Sequence, residues 1–304
     1  MRSFLGQLLF GALVMIDSVT AAPSQPGRRS QSCNGSPSLC NRLYSDVTYV
    51  GSHDSAFVGL LPTDNQFTSV ASQLSQGVRF LQAQSHNKNG VIELCHTTCL
   101  EKDAGTLASY LVPIKSFLDA NPNEVVTLLL TNGDSIPVAQ YGTVFQAVGL
   151  ASYAYAPSGT LSLDQWPTLA EMISSGKRLV VFMDYHADTA QVNYILDEFT
   201  YLYETPYDTT DPKFAECTID RPPGASASGR MGLVNHFLDV ELDLFGEVIL
   251  IPDTIKAGTT NSISSITAQT NLCVNAYGRQ PNFVLLDFIS IGQAIAAQNQ
   301  LNGL

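Results

Sequence analysis

The sequence predicts an α/β protein whose strands close into an irregular (β/α)8 barrel. Three observations predict it. Eight short apolar runs recur along 304 residues, 45% of them hydrophobic. Helical patterns lie between several of these runs, as in a β/α alternation. No glycine-rich phosphate loop follows the first run, which counts against the alternative, an open doubly wound sheet.

Taken in order, strands are expected near 47–51, 78–83, 91–95, 124–131, 178–183, 199–203, 231–236 and 283–288. "TLASYLVPIKSFLDA" predicts a helix over 106–120, which Pro122 closes before the apolar run "VVTLLLT". Further helices are predicted over 168–176 and 187–199. Residues 204–230, with Pro, Asp, Gly and Ser, read as one long irregular loop. "GEVILIP" at 246–252 reads as a hairpin outside the main sheet. No internal repeat is visible.

The N-terminus reads as a secretory signal peptide over residues 1–22. Arg2 opens it, "FLGQLLFGALVMI" forms its apolar centre, and "VTAAP" offers small residues for cleavage. That order of regions counts against a buried N-terminal helix, and the run is too short to span a bilayer. Residues 23–40 read as a lead-in loop closed by a disulfide, and residues 41–304 as a single barrel domain. No later segment reaches transmembrane length, and the polar C-terminal tail does not fit a lipid-anchor signal. The expected location is secreted and extracellular, and the expected state is a monomer.

Six cysteines in an exported chain suggest disulfides, although six allow fifteen pairings. Proximity favours Cys33–Cys40 and Cys95–Cys99, leaving Cys217–Cys273. The competing reading makes Cys95 and Cys99 metal ligands with His96. An oxidising compartment and the lack of a second metal-type cluster count against it. "NGS" offers an N-glycosylation acceptor at Asn34. A net charge of −12 argues against nucleic-acid partners and against adhesion to anionic membranes through a basic patch.

Barrel enzymes carry their chemistry at the C-terminal ends of the strands, and side chains alternate along each strand. His53, in "YVGSHDSAF", continues the alternation of Val47, Tyr49 and Gly51. His96, in "ELCHTTC", continues that of Ile92 and Leu94. Asp287 continues that of Phe283 and Leu285. All three therefore fall on inward faces at or just past strand ends. A Cys95–Cys99 bridge would restrict the His96 backbone and help fix its ring; the competing reading is a surface loop stapled for stability. Two imidazoles suit phosphodiester cleavage, since one takes a proton from the attacking hydroxyl and the other gives one to the leaving alkoxide. His86 and His236 read as exposed or structural.

"GSHDS", followed by "QLSQGVRFLQAQ" and "IELCH", resembles the bacterial phosphatidylinositol-specific phospholipases C and the X-domain-like phosphodiesterases generally. "CHTTC", "LDANPNEVVTLLLTN", "WPTLAEMISSGKRLVVFMDYH" and "YLYETPYD" look most like a fungal secreted branch of that family. The resemblance spans residues 45–290. It implies a distorted (β/α)8 TIM-type barrel that cleaves a phosphodiester or phospholipid head group. By position, it makes His53 the general base and His96 the general acid, with Asp54 behind His96 and Asp287 behind His53. In the family's phosphatidylinositol enzymes the inositol 2-hydroxyl attacks phosphorus, and diacylglycerol leaves.

The chain departs from the family at Gln82-Ala83-Gln84. Bacterial relatives carry Asp-x-Arg there, and metal-using relatives carry acids. Two amides can bond a phosphate but bring no charge, and they are poor ligands for a hard cation. No metal and no cofactor are therefore expected. Gln82, Gln84, Asn132, Asp184 and Glu204 are the candidate substrate-binding residues, with helix capping by Asp184 and a solvated loop position for Glu204 as the competing readings. Arg79 is expected to face the outer layer. Two other functions compete: a catalytically weak barrel that binds a glycan or lipid head group, and a metal-dependent hydrolase built on Asp54, Asp184 and His186.

Overall fold

A computed structural model describes residues 32–244 and 246–304, so the expected signal peptide and residues 23–31 of the lead-in lie outside the described residues. The elements run β1 (Tyr49–Ser52), α1 (Val70–Ser75), β2 (Phe80–Lys88), β3 (Val91–His96), β4 (Lys102–Thr106), α2 (Leu107–Ala120) and β5 (Val126–Thr131). There follow α3 (Val138–Val148), α4 (Leu169–Ser175), β6 (Leu179–Met183), β7 (Ile195–Asp197), α5 (Glu198–Tyr201), β8 (Leu202–Glu204) and β9 (Met231–Asn235). The chain ends with β10 (Asp239–Leu244), β11 (Glu247–Pro252), α6 (Ala257–Thr260), α7 (Ile263–Tyr277), β12 (Phe283–Leu286) and α8 (Ala294–Leu301).

Eight parallel strands curl in the order β7-β6-β5-β2-β1-β12-β9-β8, an α/β fold of distorted TIM-barrel type. Among the described residues no ladder joins β7 to β8, so the barrel stays open along that seam. Each strand sends alternate residues to two separate cores, as the period of two demands. Tyr49, Phe80, Leu129, Phe182, Leu233 and Phe283 point inward and pack together. Val50, Leu81, Leu128, Val181, Val234 and Val284 point outward, against the helices. α2 meets them with Leu107, Leu111, Ile114 and Leu118, a stripe at helical spacing. Its first turn is capped by Thr106, whose hydroxyl accepts the Ser109 N–H. The floor of the barrel is aromatic. Tyr44 lies 4.9 Å from Trp166 between ring centroids and bonds Thr127 at 2.7 Å.

Three expectations are corrected. The run 91–95 is not a barrel strand. β2 overshoots the barrel, and β3 folds back on it antiparallel, with Lys88 opposite Val91. Asn89 and Gly90 both have positive φ, 56° and 83°, which makes the two-residue turn that suits this hairpin. The helix over 187–199 is absent. Turns lead into β7, where Ile195 packs outward and Leu196 inward, so packing against two cores overrides the helical pattern. The strand over 199–203 is likewise displaced. Asp197 caps α5 through the Thr200 N–H at 2.7 Å, and extended backbone begins only at Leu202. The missing eighth barrel strand is thus β7. The expected hairpin at 246–252 exists as β10–β11, a separate two-stranded sheet.

The structure joins Cys33–Cys40, Cys95–Cys99 and Cys217–Cys273. Asn34 directs its side-chain amide to the Val125 backbone, donating to the carbonyl at 3.1 Å and accepting from the N–H at 2.7 Å.

Candidate active site

The mouth of the barrel is assembled from the ends of its strands. His53 directly follows β1. Its backbone N–H donates to the Leu286 carbonyl at 3.0 Å, and its carbonyl accepts from Gln66 Nε2 at 2.8 Å. Gly51 lets the Phe80 ring close beneath it, because a Cβ there would stand 2.4 Å from that ring. On β12, the inward alternation ends at Asp287, whose Oδ1 accepts from His53 Nδ1 at 2.9 Å and from Asn65 Nδ2 at 3.0 Å. This bond fixes the tautomer and turns Nε2 toward the cavity. Phe237 stacks on the other side of the ring, 3.7 Å away and 2° from parallel.

Asp54 sits in the left-handed region, φ 43°, which Asp tolerates better than most residues. Its N–H donates to Gln82 Oε1 at 2.7 Å, and its Oδ2 accepts from Gln84 Nε2 at 2.8 Å. Those two bonds aim one carboxylate oxygen at both histidines. Oδ2 lies 3.5 Å from His53 Nε2 and 3.6 Å from His96 Nε2.

His96 arrives from outside the barrel, at the end of the returning strand β3. The Cys95–Cys99 bridge closes its loop, and the Thr97 N–H donates to Gln84 Oε1 at 3.1 Å. Phe57 meets its ring edge-on at 5.2 Å. Glu101 stands 3.6 Å from its Nδ1, beyond hydrogen-bond length. Both imidazoles are partly open, with 16% and 15% of their side chains exposed.

Acidic surroundings set the proton affinities. Burial by itself lowers the His53 imidazole, but the Asp54 and Asp287 carboxylates outweigh it and push it up to about 9. Burial raises the Asp54 carboxyl, against the pull of both imidazoles. Asp239 is pushed up to about 7 by burial and by Asp287.

These residues face a cavity of about 500 Å³, which His53, His96, Gln82, Gln84 and Glu204 line. Asn132 and Asp184 do not. Asn132 follows the outward alternation of Leu128 and Leu130, and its side chain closes on the Ile136 and Tyr185 backbone. Asp184 accepts the Asn132 N–H at 2.8 Å beneath the rim, and burial pushes it up to about 6. Gln82 and Gln84 reach the cavity but turn their amides to Asp54 and Thr97, so they position Asp54 rather than wait for a ligand. Asp54, Asp184 and His186 do not meet. His186 is exposed and bonds Ser135 at 2.8 Å. Among the described residues no group of three or more His, Cys, Asp or Glu is arranged to hold a metal. Arg79 bonds Glu124 at 2.7 Å, away from the cavity.

Sequence reasoning missed Asn65, Phe237 and Arg221, all of which line the cavity. Asn65 belongs to a run of three buried polar residues, Asp64 to Gln66, in a loop without periodicity. Arg221 comes from the irregular stretch 204–230, where a basic residue reads as solvated.

Fold and mouth together define the class: a TIM-barrel-like α/β protein with two imidazoles flanking one carboxylate at its mouth. The family model described as PI-PLC X 1 matches residues 39–302, and the chain belongs to that family. It is similar to the PI-PLC X domain-containing protein 1 of Arthroderma benhamiae, 48% identical over 302 residues, which cover 98% of this chain and 97% of that protein. It is also similar to a protein of the same fungus described as an uncharacterized secreted protein. That match is 44% identical over 282 residues, 90% of this chain and 63% of the relative. Among solved structures, the phosphatidylinositol-specific phospholipase C from Listeria monocytogenes superposes with a TM-score of 0.58 at 14% identity. The superposition covers 87% of this chain and 95% of that one, a likeness of fold.

Proposed function

We propose that the protein is a secreted phosphodiesterase of the phospholipase C type, acting on a phospholipid-like head group by two-histidine acid–base catalysis. The observation that carries this reading is the single Asp54 oxygen that lies 3.5 Å from His53 Nε2 and 3.6 Å from His96 Nε2, behind the two rings that line the cavity. His53, in its neutral form, accepts the proton of the attacking hydroxyl, whether the substrate's own or that of water. As the new O–P bond forms, the bond from phosphorus to the leaving alkoxide breaks. His96, as imidazolium, gives its proton to that alkoxide. Asp287 stabilises the imidazolium that forms at His53, and Asp54 holds both rings in register. An exported life is supported by the N-terminal signal pattern, the three disulfides and the secreted relative.

A second reading, a head-group-binding protein with little activity, has one observation in its favour: Gln82 and Gln84 bring no charge and are already bonded. A panel of lipid and soluble phosphodiesters, run on the purified protein beside His53→Ala and His96→Ala, separates the two. The phosphodiesterase reading expects turnover of at least one diester and a kcat lower by roughly 10²–10⁴ in each variant. No turnover of any diester, or turnover indifferent to both substitutions, defeats it.

A further inference from the structure

We propose that Arg221 is the phosphate-holding cation of this cavity, supplying from the loop after β8 the charge that the Gln82-Ala83-Gln84 strand lacks. The inference rests on the phosphodiesterase reading for its substrate, but anion binding by Arg221 does not require turnover.

Elimination leads to it first. Among the described residues lining the cavity, Arg221 alone is a Lys or Arg. Lys102, from β4, pairs with Asp64 and is not part of the lining. The polar amides that do line it are engaged elsewhere. Gln82 and Gln84 hold Asp54, Asn65 donates to Asp287, and Asn235 donates to the Thr205 carbonyl at 2.8 Å. The acids that line it, Glu101, Asp208, Asp239 and Glu204, offer an anion no positive charge. A phosphodiester entering here needs a fixed positive partner, and its non-bridging oxygens need it more as charge builds in the transition state.

The setting of Arg221 suits that task. Its backbone pairs with β8, the Glu204 N–H donating to the Arg221 carbonyl at 2.8 Å. Its Nε and Nη2 donate to one oxygen, Glu204 Oε2, at 3.1 and 2.7 Å. The rings of Tyr207 and Phe199 flank the guanidinium at 5.1 and 5.7 Å. So the plane is fixed, while among the described residues Nη1 donates only to Tyr185 Oη, at 3.4 Å. An arginine so braced keeps N–H donors for a phosphate without having to be ordered first. Two neighbours agree with this placement. Asp208, raised by burial, is pulled back down by both His53 and Arg221, so it lies within the field of each. Glu198 is fully buried beside Glu204, and burial and then Glu204 push its carboxyl well above the usual range. A carboxyl so raised resists ionising, which limits the negative charge beside the Arg221–Glu204 pair.

The test is titration of the full chain with inorganic phosphate, read from the ring-proton signals of His53 and His96, beside kcat/KM on the best diester of the panel. Arg221→Met strands a buried Glu204 carboxylate, so the double variant Arg221→Met/Glu204→Gln is measured with it. Both are expected to lose phosphate binding by tenfold or more and kcat/KM by roughly 10²–10³. Arg221→Lys is expected to recover part of each. Phosphate affinity in the double variant within about twofold of wild type overturns the assignment. Loss of phosphate binding in a chain that cleaves no diester upholds Arg221 while defeating the phosphodiesterase reading. Unchanged phosphate binding with intact histidine dependence does the reverse.

Discussion

The two histidines of the cavity are held in opposite ways. His53 is seated on the barrel itself, between β1 and β12, with a 2.9 Å bond to Asp287 and a parallel ring 3.7 Å away. His96 hangs on a strand that has left the barrel and returned, and its approaches to Asp54 and Glu101 are both 3.6 Å. Its backbone pairs with Lys102 of β4 outside the barrel and is closed by a disulfide, and an edge-on ring stands in for the short bond. The contrast teaches that one fold can place two like groups at different degrees of preorganisation. The proposed base is fixed by the sheet, and the proposed acid by a staple that substrate must still tighten.

The largest effect is expected where the two halves meet. Asp54→Asn removes the carboxylate that both rings share, and kcat should fall by about 10³ while both sets of ring signals move. If only one ring responds, the shared oxygen is not what joins the halves.

Asp287→Asn attacks the His53 half alone, with an expected loss of about 10² in kcat. It also has a pH signature. A base must be neutral, so kcat/KM should rise with pH through the His53 value of about 9. Losing Asp287 removes part of what raises that value, so the rising limb should move toward the ordinary imidazole range. Stability runs the other way with pH. A raised imidazole stabilises the fold fully below about pH 6.5, and the gain disappears as pH climbs through its folded value. Thermal melts across that window should therefore fall for wild type and fall less for the variant. His236 works in the opposite direction. Burial lowers it, so its neutral form supports the fold above the ordinary imidazole value, and that support is lost on acidification.

Cys95→Ser/Cys99→Ser sharpens the comparison from the other side. Opening a bridge with a sequence separation of 4 should lower unfolding free energy by about 2 kcal/mol. Loosening His96 should lower kcat on alkyl diesters by about tenfold, leaving the His53 ring signals in place. Phe237→Ala should be the mildest, about fivefold in kcat, from the loss of a stacking contact worth roughly 1 kcal/mol. Kinetics and ring signals on the same samples rank all four.

His53 and Asp287 were legible because the period of two survives to the last residues of β1 and β12, and the inner core confirms that parity. His96 reaches the cavity from a different element than the one expected. The alternation of Ile92 and Leu94 reads the same in a hairpin as in a barrel strand. Only Asn89-Gly90 carries the turn signal that tells them apart. Asn132 and Asp184 misled because a polar residue at a strand end looks open to the mouth, whereas both are committed to each other and to local backbone. Arg221 and Asn65 could not be read at all. They reach the cavity from irregular segments, through pairings with Glu204 and Asp287 that no local pattern encodes.

The most direct measurement compares a 4-nitrophenyl with an alkyl phosphodiester in His53→Ala and His96→Ala. A nitrophenolate leaves without a proton, so an acid is dispensable for it and a base is not. His96→Ala is expected to lose about 10³ on the alkyl diester but less than about tenfold on the nitrophenyl one, while His53→Ala loses heavily on both. Equal losses on both substrates in His96→Ala would contradict the assignment of the two histidines to opposite ends of one reaction.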